Sequence, residues 1–339
     1  MTRLQRSAAL LAKIQLSLAI GAYDHVRDLL DGTVPVAGVE LTVLRLPVEE
    51  MFYRFLMHAE FDVSEASLGK IVAFAALDDR RFVPLPVFPS RVFRHSSIYI
   101  RSGGDIARPE DLAGKRVGVP EWAQTAAIYT RGLLAHEYGV DLASIHWHQA
   151  GVNEPGRIEK VKLSLPSGVR LTVVAERSLS EMLLAGDLDA VLSARPPAPI
   201  RAGDPRMRRL FVDPRAVELA YARKTGIFPI MHVVAMRREV YERDRWLAMN
   251  LFKAFEEAKA RSLERVADRA VSFFPLPWAP DELRLARELL GDDPWPYGIE
   301  PNRTTLETFL RYAFEQGVCS RPLTLETLFP PEVQSTFRI

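Results

Sequence analysis

Residues 86–102, PVFPSRVFRHSSIYIRS, join two strand-like runs through a turn that carries Arg91, Arg94 and His95. The upstream run VPLPVF alternates and ends at Pro89, and the downstream run SSIYI is rich in β-branched and aromatic residues. Two guanidinium groups within four residues can each grip a carboxylate through paired hydrogen bonds. We therefore predict that this turn binds a small anion, and the alternative is a solvated basic turn.

The composition is that of an ordinary globular protein. The chain has 339 residues, long enough for two domains and a large core, and 48% of them are hydrophobic. A net charge of +1 without a long Lys/Arg block argues against a nucleic-acid partner. The single cysteine, Cys319, excludes an internal disulfide and fits a reducing compartment. Because no apolar run reaches membrane-spanning length, we expect no membrane partner.

Residues 1–24 have the outline of a secretory signal, with early positive charge followed by apolar residues. Lys13 and Gln15 interrupt the apolar stretch, and no small-x-small cleavage site follows at a suitable distance. The run KIQLSLAI, residues 13–20, alternates as a first strand instead. We therefore expect a cytoplasmic protein.

Strands and helices alternate through the first part of the chain. The run GAYDHVRDLLDG predicts a helix that stops at Gly32, and VELTVLRL predicts the next strand, which gives a β-α-β opening. A further helix is predicted over residues 47–59, and FDVSEASL reads as a short buried strand. Glu65 and Ser67 lie at the carboxyl end of that strand, where ligands gather in open α/β sheets. The alternative is that the carboxylate caps a neighbouring helix.

The looser run SGGDIARP, residues 102–109, predicts a linker and a domain boundary. Beyond it, KRVGVP reads as a short strand that runs into a helix beginning near Glu121. Backbone N–H groups at that helix start, with Gln124 and Thr125 in the first turn, can bind a carboxylate. A capped helix without a ligand is the alternative.

Two more candidates come from later strands. LDAVLSA reads as a strand whose exit carries Arg195, and we expect Arg195 to face a cleft. His232 lies inside the strand-like run GIFPIMHVVAMRRE, where a buried core histidine is the alternative to a site residue. His146 and His148 share one face of a strand, but no third ligand accompanies them, so no metal site is predicted.

Two further segments complete the prediction. Residues 201–214, RAGDPRMRRLFVDP, read as a surface loop. From Val240 onward the pattern is helical, and a helical tail after alternating strands and helices suggests that the chain returns to complete its first domain.

Several runs give the chain a specific resemblance to the 4,5-dihydroxyphthalate decarboxylases over nearly its full length. They are LSLAIGAYDHVRDLLDG, EEMFYRFLMHAEFDVSEASL, PVFPSRVFRHSSIYIR, AGKRVGVPEWAQTAA, NEPGRIEK, TGIFPIMHVVAMRRE and YGIEPNRTTLETFLRY. The resemblance implies a cytoplasmic enzyme with the α/β type II periplasmic-binding-protein fold, in which two crossover strands join two lobes and the substrate binds between them. On this basis we assign residues 1–101 and 233–339 to lobe 1, and residues 102–232 to lobe 2.

The resemblance also implies a reaction. It is the non-oxidative decarboxylation of 4,5-dihydroxyphthalate to 3,4-dihydroxybenzoate (protocatechuate) and carbon dioxide in phthalate catabolism. The partner is thus a small aromatic dicarboxylate, and Arg91, Arg94 and Arg195 would supply cations for its carboxylates. Further candidates for substrate contact are Asp24, Ser67, Gln124 and Thr125.

Proton delivery to the ring carbon that loses carbon dioxide needs an acid. His95 and His232 are the candidates, and the sequence does not rank them. Glu65 or Asp24 would accept a hydrogen bond from a phenol. We predict that no cofactor is needed, because the para hydroxyl of such a substrate stabilises the protonated ring and the sequence contains neither a metal-ligand set nor a dinucleotide fingerprint.

Other functions on the same fold stay open at this point. One is a non-catalytic solute-binding protein for an aromatic acid, and another is a lyase for a different small molecule, since binding and catalysis share this architecture. The sequence also leaves a homo-oligomer open.

Overall fold

The structure is a computed structural model that describes residues 13–334. Within these residues, eleven strands form two sheets, one in each lobe. The strands of the first sheet are β1 (Ile14–Ala19), β2 (Val39–Leu44), β3 (Val63–Ser67), β4 (Phe82–Leu85) and β11 (His232–Arg237). Those of the second sheet are β5 (Ile98–Arg101), β6 (Arg116–Val119), β7 (His146–Gln149), β8 (Arg170–Val173), β9 (Ala190–Leu192) and β10 (Met207–Arg209).

The order of the first sheet is β2-β1-β3-β11-β4, and that of the second is β10-β5-β9-β6-β7-β8. Strand β11 runs antiparallel to β3, with His232 opposite Ser67 and Val234 opposite Glu65. His232 and Glu65 are therefore diagonal neighbours on one face of the sheet, close enough for their side chains to meet. The return of the chain to the first sheet is thus what brings this pair together.

The helices pack around the two sheets, and in the described residues none is long and apolar enough to cross a membrane. The long helix α9 packs on α1 in the first lobe, while α11 contacts both α3 and α4 and so braces the two lobes. In chain order the helices are α1 (Arg27–Leu30), α2 (Val48–His58), α3 (Leu68–Ala76), α4 (Thr125–Tyr138), α5 (Leu179–Ala185), α6 (Ala198–Arg201), α7 (Pro214–Thr225), α8 (Arg238–Arg243), α9 (Trp246–Ala267), α10 (Ala279–Leu290), α11 (Arg303–Glu315) and α12 (Leu325–Leu328).

The chain passes between the sheets at positions that differ from the prediction. Strand β5 pairs with β9 and β10, so the chain has already entered the second sheet at Ile98, before the predicted boundary. The glycine-rich run 102–109 is therefore a turn inside the second lobe, where the Ser102 N–H donates to the Arg206 carbonyl. The two crossovers are residues 86–97 and 210–231, and His232 already belongs to the first sheet.

Two local predictions were also wrong. The predicted surface loop 201–214 contains strand β10, which pairs antiparallel with β5 at the edge of the second sheet. Three residues, MRR, are too few to show the alternation by which a strand is recognised. Helix α4 begins at Thr125 rather than near Glu121, and Gln124 is its N-cap.

Candidate active site

A cavity of about 350 Å³ lies between the lobes. This volume is near the lower end for ligand pockets, which suits one small molecule. Val48, Phe52 and Leu56 of α2 give it an apolar wall. Its polar and charged lining residues come from both lobes and are Glu49, Tyr53, Ser67, Lys70, Ser90, Arg94, Glu121, Gln124, Thr125, Arg157, Lys160, Arg195 and His232.

His232 is the histidine that lines this cavity. Its Nδ1 lies 2.6 Å from Glu65 Oε1, and its ring meets Phe52 edge-on with the ring centroids 4.9 Å apart. Because the carboxylate takes Nδ1–H, Nε2 is the nitrogen left for a ligand. The arrangement is that of an imidazole oriented by a buried carboxylate, which suits proton transfer.

Glu65 lies fully buried behind His232 and does not line the cavity. Its Oε1 also accepts the Tyr23 hydroxyl at 2.6 Å, and its Oε2 accepts the Gly21 N–H at 2.9 Å. Burial opposes ionisation of the carboxyl, but the interactions with His232, Tyr23 and Gly21 outweigh it and hold the pKa of Glu65 below its usual range. Glu65 is therefore an ionised partner for His232.

Arg94 brings a buried positive charge to the cavity. Its Nε donates to Met231 Sδ at 3.1 Å, and one terminal nitrogen reaches Ser97 Oγ at 3.5 Å. Burial lowers the pKa of Arg94 to about 10, so the guanidinium stays charged near neutral pH. Among residues 13–334 no carboxylate forms a salt bridge with it, and a buried charge without a partner favours an anionic ligand.

A second group of charges links the lobes. Lys70 of α3 pairs with Glu121, 2.8 Å away, and with Glu159. Glu121 also holds Arg157 and Lys160, at 2.7 and 2.9 Å. Burial opposes ionisation of Glu121, but the three cations outweigh it and lower its pKa to about 2. Since three cations face two carboxylates, this group keeps one surplus positive charge.

Three predicted residues meet where α3 and α4 approach each other. The Ser67 and Thr125 hydroxyl oxygens lie 2.9 Å apart across the cleft, and Thr125 Oγ1 also accepts the Gly69 N–H. A Cβ added to Gly69 would lie 2.6 Å from the Ala123 carbonyl, so only glycine permits this contact. Ser67, Thr125 and Gln124 all line the cavity.

Arg195 also lines the cavity, as its position after β9 indicated. Its guanidinium forms a two-pronged ion pair with Glu49 of α2, at 2.6 and 2.8 Å. The pair joins the lobes and is exposed to solvent. Both arms of Arg195 are thus already engaged by a carboxylate of the protein, which distinguishes it from Arg94.

Arg91 does not line the cavity, in contrast to its predicted place at the substrate. Its buried guanidinium donates to the carbonyls of Phe228 and Pro296 and to Asn302 Oδ1. Arg91 therefore ties the first crossover to the second and to the segment before α11. In this irregular turn, side chains three residues apart point to different sides.

His95 and Asp24 likewise do not line the cavity, in contrast to their predicted places at the substrate. The His95 ring lies edge-on to Phe211 and Tyr221, and burial lowers its pKa to about 4, so near neutral pH it is a neutral imidazole rather than an acidic imidazolium. Asp24 Oδ2 accepts the Ser262 hydroxyl at 2.6 Å, on the α9 side of the lobe.

The sequence missed Tyr23, Lys70, Arg157 and Lys160. Tyr23 follows the carboxyl end of β1, beside the strand that carries Glu65, and that position could have identified it. Arg157 and Lys160 lie in the polar run NEPGRIEK, which has no periodicity that would distinguish a cavity wall from a surface loop.

The described part of the chain contains no group of three or more His, Cys, Asp or Glu side chains arranged to hold a metal ion. His146 and His148 lie on β7, where His146 Nε2 contacts Arg170 and His148 Nδ1 contacts the His146 carbonyl.

The comparison with curated proteins decides the family. The chain is 39% identical over 330 residues to the 4,5-dihydroxyphthalate decarboxylase of Comamonas testosteroni, which covers 97% of this chain and 100% of the relative. The chain belongs to the 4,5-dihydroxyphthalate decarboxylase family. A second member, from Pseudomonas putida, is 39% identical over 211 residues, 62% of this chain and 82% of the relative. No protein-family model matches the chain.

Solved structures confirm the fold of this decarboxylase homologue. The aliphatic sulphonate binding protein SsuA of Escherichia coli superposes with a TM-score of 0.54 at 14% identity, over 95% of this chain and 99% of that one. A sulfonate-binding protein of Methylobacillus flagellatus gives a TM-score of 0.53 at 11% identity, over 95% and 93%. The predicted α/β periplasmic-binding-protein architecture and the predicted family are both confirmed.

Proposed function

We propose that the protein removes one carboxylate of 4,5-dihydroxyphthalate as carbon dioxide and releases 3,4-dihydroxybenzoate. The Comamonas testosteroni relative, which matches 97% of this chain, carries the name of this activity. The observation that carries the proposal is that Arg94, a buried cation without a carboxylate partner, and His232, an imidazole backed by Glu65, open onto the same cavity.

The charge of the cavity fits a dicarboxylate. Arg94 contributes one positive charge, and the group around Glu121 contributes a second. The Glu49–Arg195 pair is neutral, and so is the His232–Glu65 pair when the imidazole is protonated. Two surplus positive charges therefore face a ligand that carries two negative ones.

The walls fit an aromatic ring. Phe52 and Leu56 of α2 and Met231 of the second crossover provide apolar surface. Ser67, Thr125 and Gln124 supply hydroxyl and amide groups for the ring hydroxyls. This combination of an apolar lining with a few placed polar groups is typical of small-molecule sites.

In the proposed reaction, His232 donates the proton on Nε2 to the ring carbon that bears the leaving carboxylate. The para hydroxyl releases electron density into the ring and stabilises the cationic intermediate. The bond to the carboxylate then breaks, its electrons return to the ring, and neutral carbon dioxide leaves. His232 regains its proton from solvent, so one proton is consumed in each turnover.

Arg94 is proposed to hold the carboxylate that stays. A cation on the departing carboxylate would stabilise the charged reactant more than the transition state, in which that charge is moving into the ring. A cation on the retained carboxylate instead orients the ring in both states. Glu65 orients His232 and stabilises its imidazolium form.

Purified protein mixed with 4,5-dihydroxyphthalate tests the proposal through loss of substrate absorbance and release of carbon dioxide. In deuterated water, the product should carry deuterium at the carbon that lost its carboxylate. Tight binding without turnover would instead support a solute-binding protein. Turnover of another aromatic acid alone would identify a different lyase.

The cytoplasmic location and the homo-oligomer stay predictions. Fractionation of cells that express the full chain tests the first. Light scattering coupled to size-exclusion chromatography tests the second.

A further inference from the structure

A tyrosine hydroxyl shares the carboxylate oxygen that His232 uses. Both His232 Nδ1 and the Tyr23 hydroxyl lie 2.6 Å from Glu65 Oε1. Tyr23 does not line the cavity, but Glu65 connects it to His232, which does. The chain Tyr23–Glu65–His232 therefore runs from the interior of the first lobe to the cavity.

We propose that Tyr23 is a positioning residue that sets the acid strength of His232 through Glu65. The inference rests on the proposed function, in which His232 is the proton donor. When Tyr23 donates to the carboxylate, it withdraws negative charge from the oxygen that stabilises the imidazolium. The imidazolium is then a stronger acid than it would be beside Glu65 alone.

The backbone is shaped for this contact. A Cβ added to Gly21 would lie 2.7 Å from the Tyr23 ring and 3.2 Å from Glu65 Oε2. Only glycine therefore lets the strand exit approach both side chains while its N–H donates to Glu65. Burial, followed by the charge of Glu65, raises the pKa of Tyr23 well above its ordinary value, so its hydroxyl remains a donor.

The neighbours of Tyr23 on the interior side are neutral or paired. His25 stacks against Tyr23 with the ring centroids 5.3 Å apart, and burial lowers the pKa of His25 to about 4. Burial raises the pKa of Tyr297, which keeps that phenol neutral. Lys259 is paired with Asp293 at 2.6 Å and with Glu256 at 2.9 Å.

Further charged groups lie on both sides of the chain Tyr23–Glu65–His232. Asp24 is paired with Arg27 and Arg265. On the cavity side, Arg94 stays positive near neutral pH, and Lys70 forms an ion pair with Glu121.

The test is Tyr23→Phe, which removes the hydroxyl and keeps the ring that packs on His25. Without the donor, Glu65 holds the imidazolium more strongly, so the pKa of His232 should rise by about one unit, the size expected for a hydrogen bond to a charged group. The alkaline limb of the kcat profile should move to higher pH by the same amount. We expect kcat to fall about 3- to 10-fold, because a weaker acid transfers its proton more slowly, with KM unchanged.

Tyr241→Phe is the matched control. The Tyr241 hydroxyl donates to Glu332 at 2.6 Å, so this variant also loses a tyrosine–glutamate hydrogen bond, but away from the cavity. It should leave kcat, KM and the pH profile as in the wild type. Replacing Tyr23 by 3,5-difluorotyrosine should give the opposite change. A stronger hydrogen-bond donor should move the alkaline limb of the kcat profile to lower pH.

Wild-type kinetics and pH profile in Tyr23→Phe would overturn the inference. A loss of activity without a shift of the alkaline limb would overturn it too, since a merely structural role produces that result. NMR titration of the His232 ring in wild type and Tyr23→Phe needs no substrate. If the wild type does not release carbon dioxide, the proposed function fails, while the difference between the two His232 titrations still decides the role of Tyr23.

Discussion

Arg91 and Arg94 lie three residues apart in the same crossover, and the structure gives them opposite surroundings. Both are buried, and burial lowers the pKa of each to about 10. Arg91 donates hydrogen bonds to two backbone carbonyls and an asparagine side chain. Arg94 has as acceptors only a thioether and a distant hydroxyl in the described residues. Burial therefore does not distinguish the two arginines, whereas the lack of strong acceptors around Arg94 favours it as the proposed ligand-binding residue.

His95 and His232 also differ in their hydrogen-bond partners, as the two arginines do. His95 lies among aromatic rings, and its buried Nδ1 has no hydrogen-bond partner in the described residues. His232 has a carboxylate on Nδ1 and a cavity on the other side of its ring. A neutral buried imidazole contributes to packing, while an imidazole paired with a carboxylate can hold and transfer a proton.

The largest effect is expected from His232→Asn. The amide can keep a hydrogen bond to Glu65 but cannot deliver a proton, so kcat should fall by about 10²- to 10⁴-fold. His95→Asn is the matched control and should retain the wild-type kcat at a temperature where it remains folded. Steady-state kinetics of both variants, with thermal unfolding as a check, measures the contrast. Equal losses of kcat would remove the distinction between the two histidines.

The next effect separates the arginines. Arg94→Lys keeps the charge but loses the two-pronged grip on a carboxylate, so kcat/KM should fall by about 10- to 100-fold. Arg91→Lys should instead lower the free energy of unfolding by about 1–3 kcal/mol, because buried carbonyls lose their donor. Kinetics and denaturant unfolding of both variants give the two readouts. A binding defect in Arg91→Lys without loss of stability would return Arg91 to the site.

The order of strands and helices was largely predictable because it depends on local patterns. Alternation marked β1, and proline with two glutamates in the first turn marked α2. Strand β10 was missed because its three residues carry no pattern, and its pairing with β5 is a long-range contact. The lobe boundary was misplaced because the glycine-rich run 102–109 reads the same as a linker or as a turn within one lobe.

The candidate site was less predictable, because side-chain direction in irregular segments does not follow a period. The residue types around 91–95 predict an anion site, yet the sequence could not choose between Arg91 and Arg94. Lys70 and Glu121 come from opposite lobes and meet only when the fold is complete. The sequence predicted Glu65 and His232 as two separate site residues. Their contact was not predictable, because it depends on the antiparallel register of β3 and β11.

A smaller effect concerns stability in mild acid. Burial holds the pKa of His95 at about 4, below the value of about 6.5 expected in the unfolded chain. As pH falls below 6.5, His95 takes up a proton in the unfolded chain but stays neutral in the folded protein, so the free energy of unfolding decreases. By pH 5 the cost is about 2 kcal/mol. His95→Asn should show a flatter decrease in the free energy of unfolding between pH 7 and 5, measured by urea titration. An unchanged slope would show that His95 is not held neutral.

The smallest expected effect is that of a chelator, which should leave activity unchanged. The proposed chemistry needs a cation for the retained carboxylate and an acid for the ring carbon, and Arg94 and His232 supply these. The cavity also offers no cluster of three His, Cys, Asp or Glu ligands among residues 13–334. Dialysis against EDTA, followed by the carbon dioxide assay, measures this directly. Loss of activity that one divalent ion restores would contradict the metal-free reaction. It would also show that the positive charges of Arg94 and of the Glu121 group do not support the reaction without a metal ion.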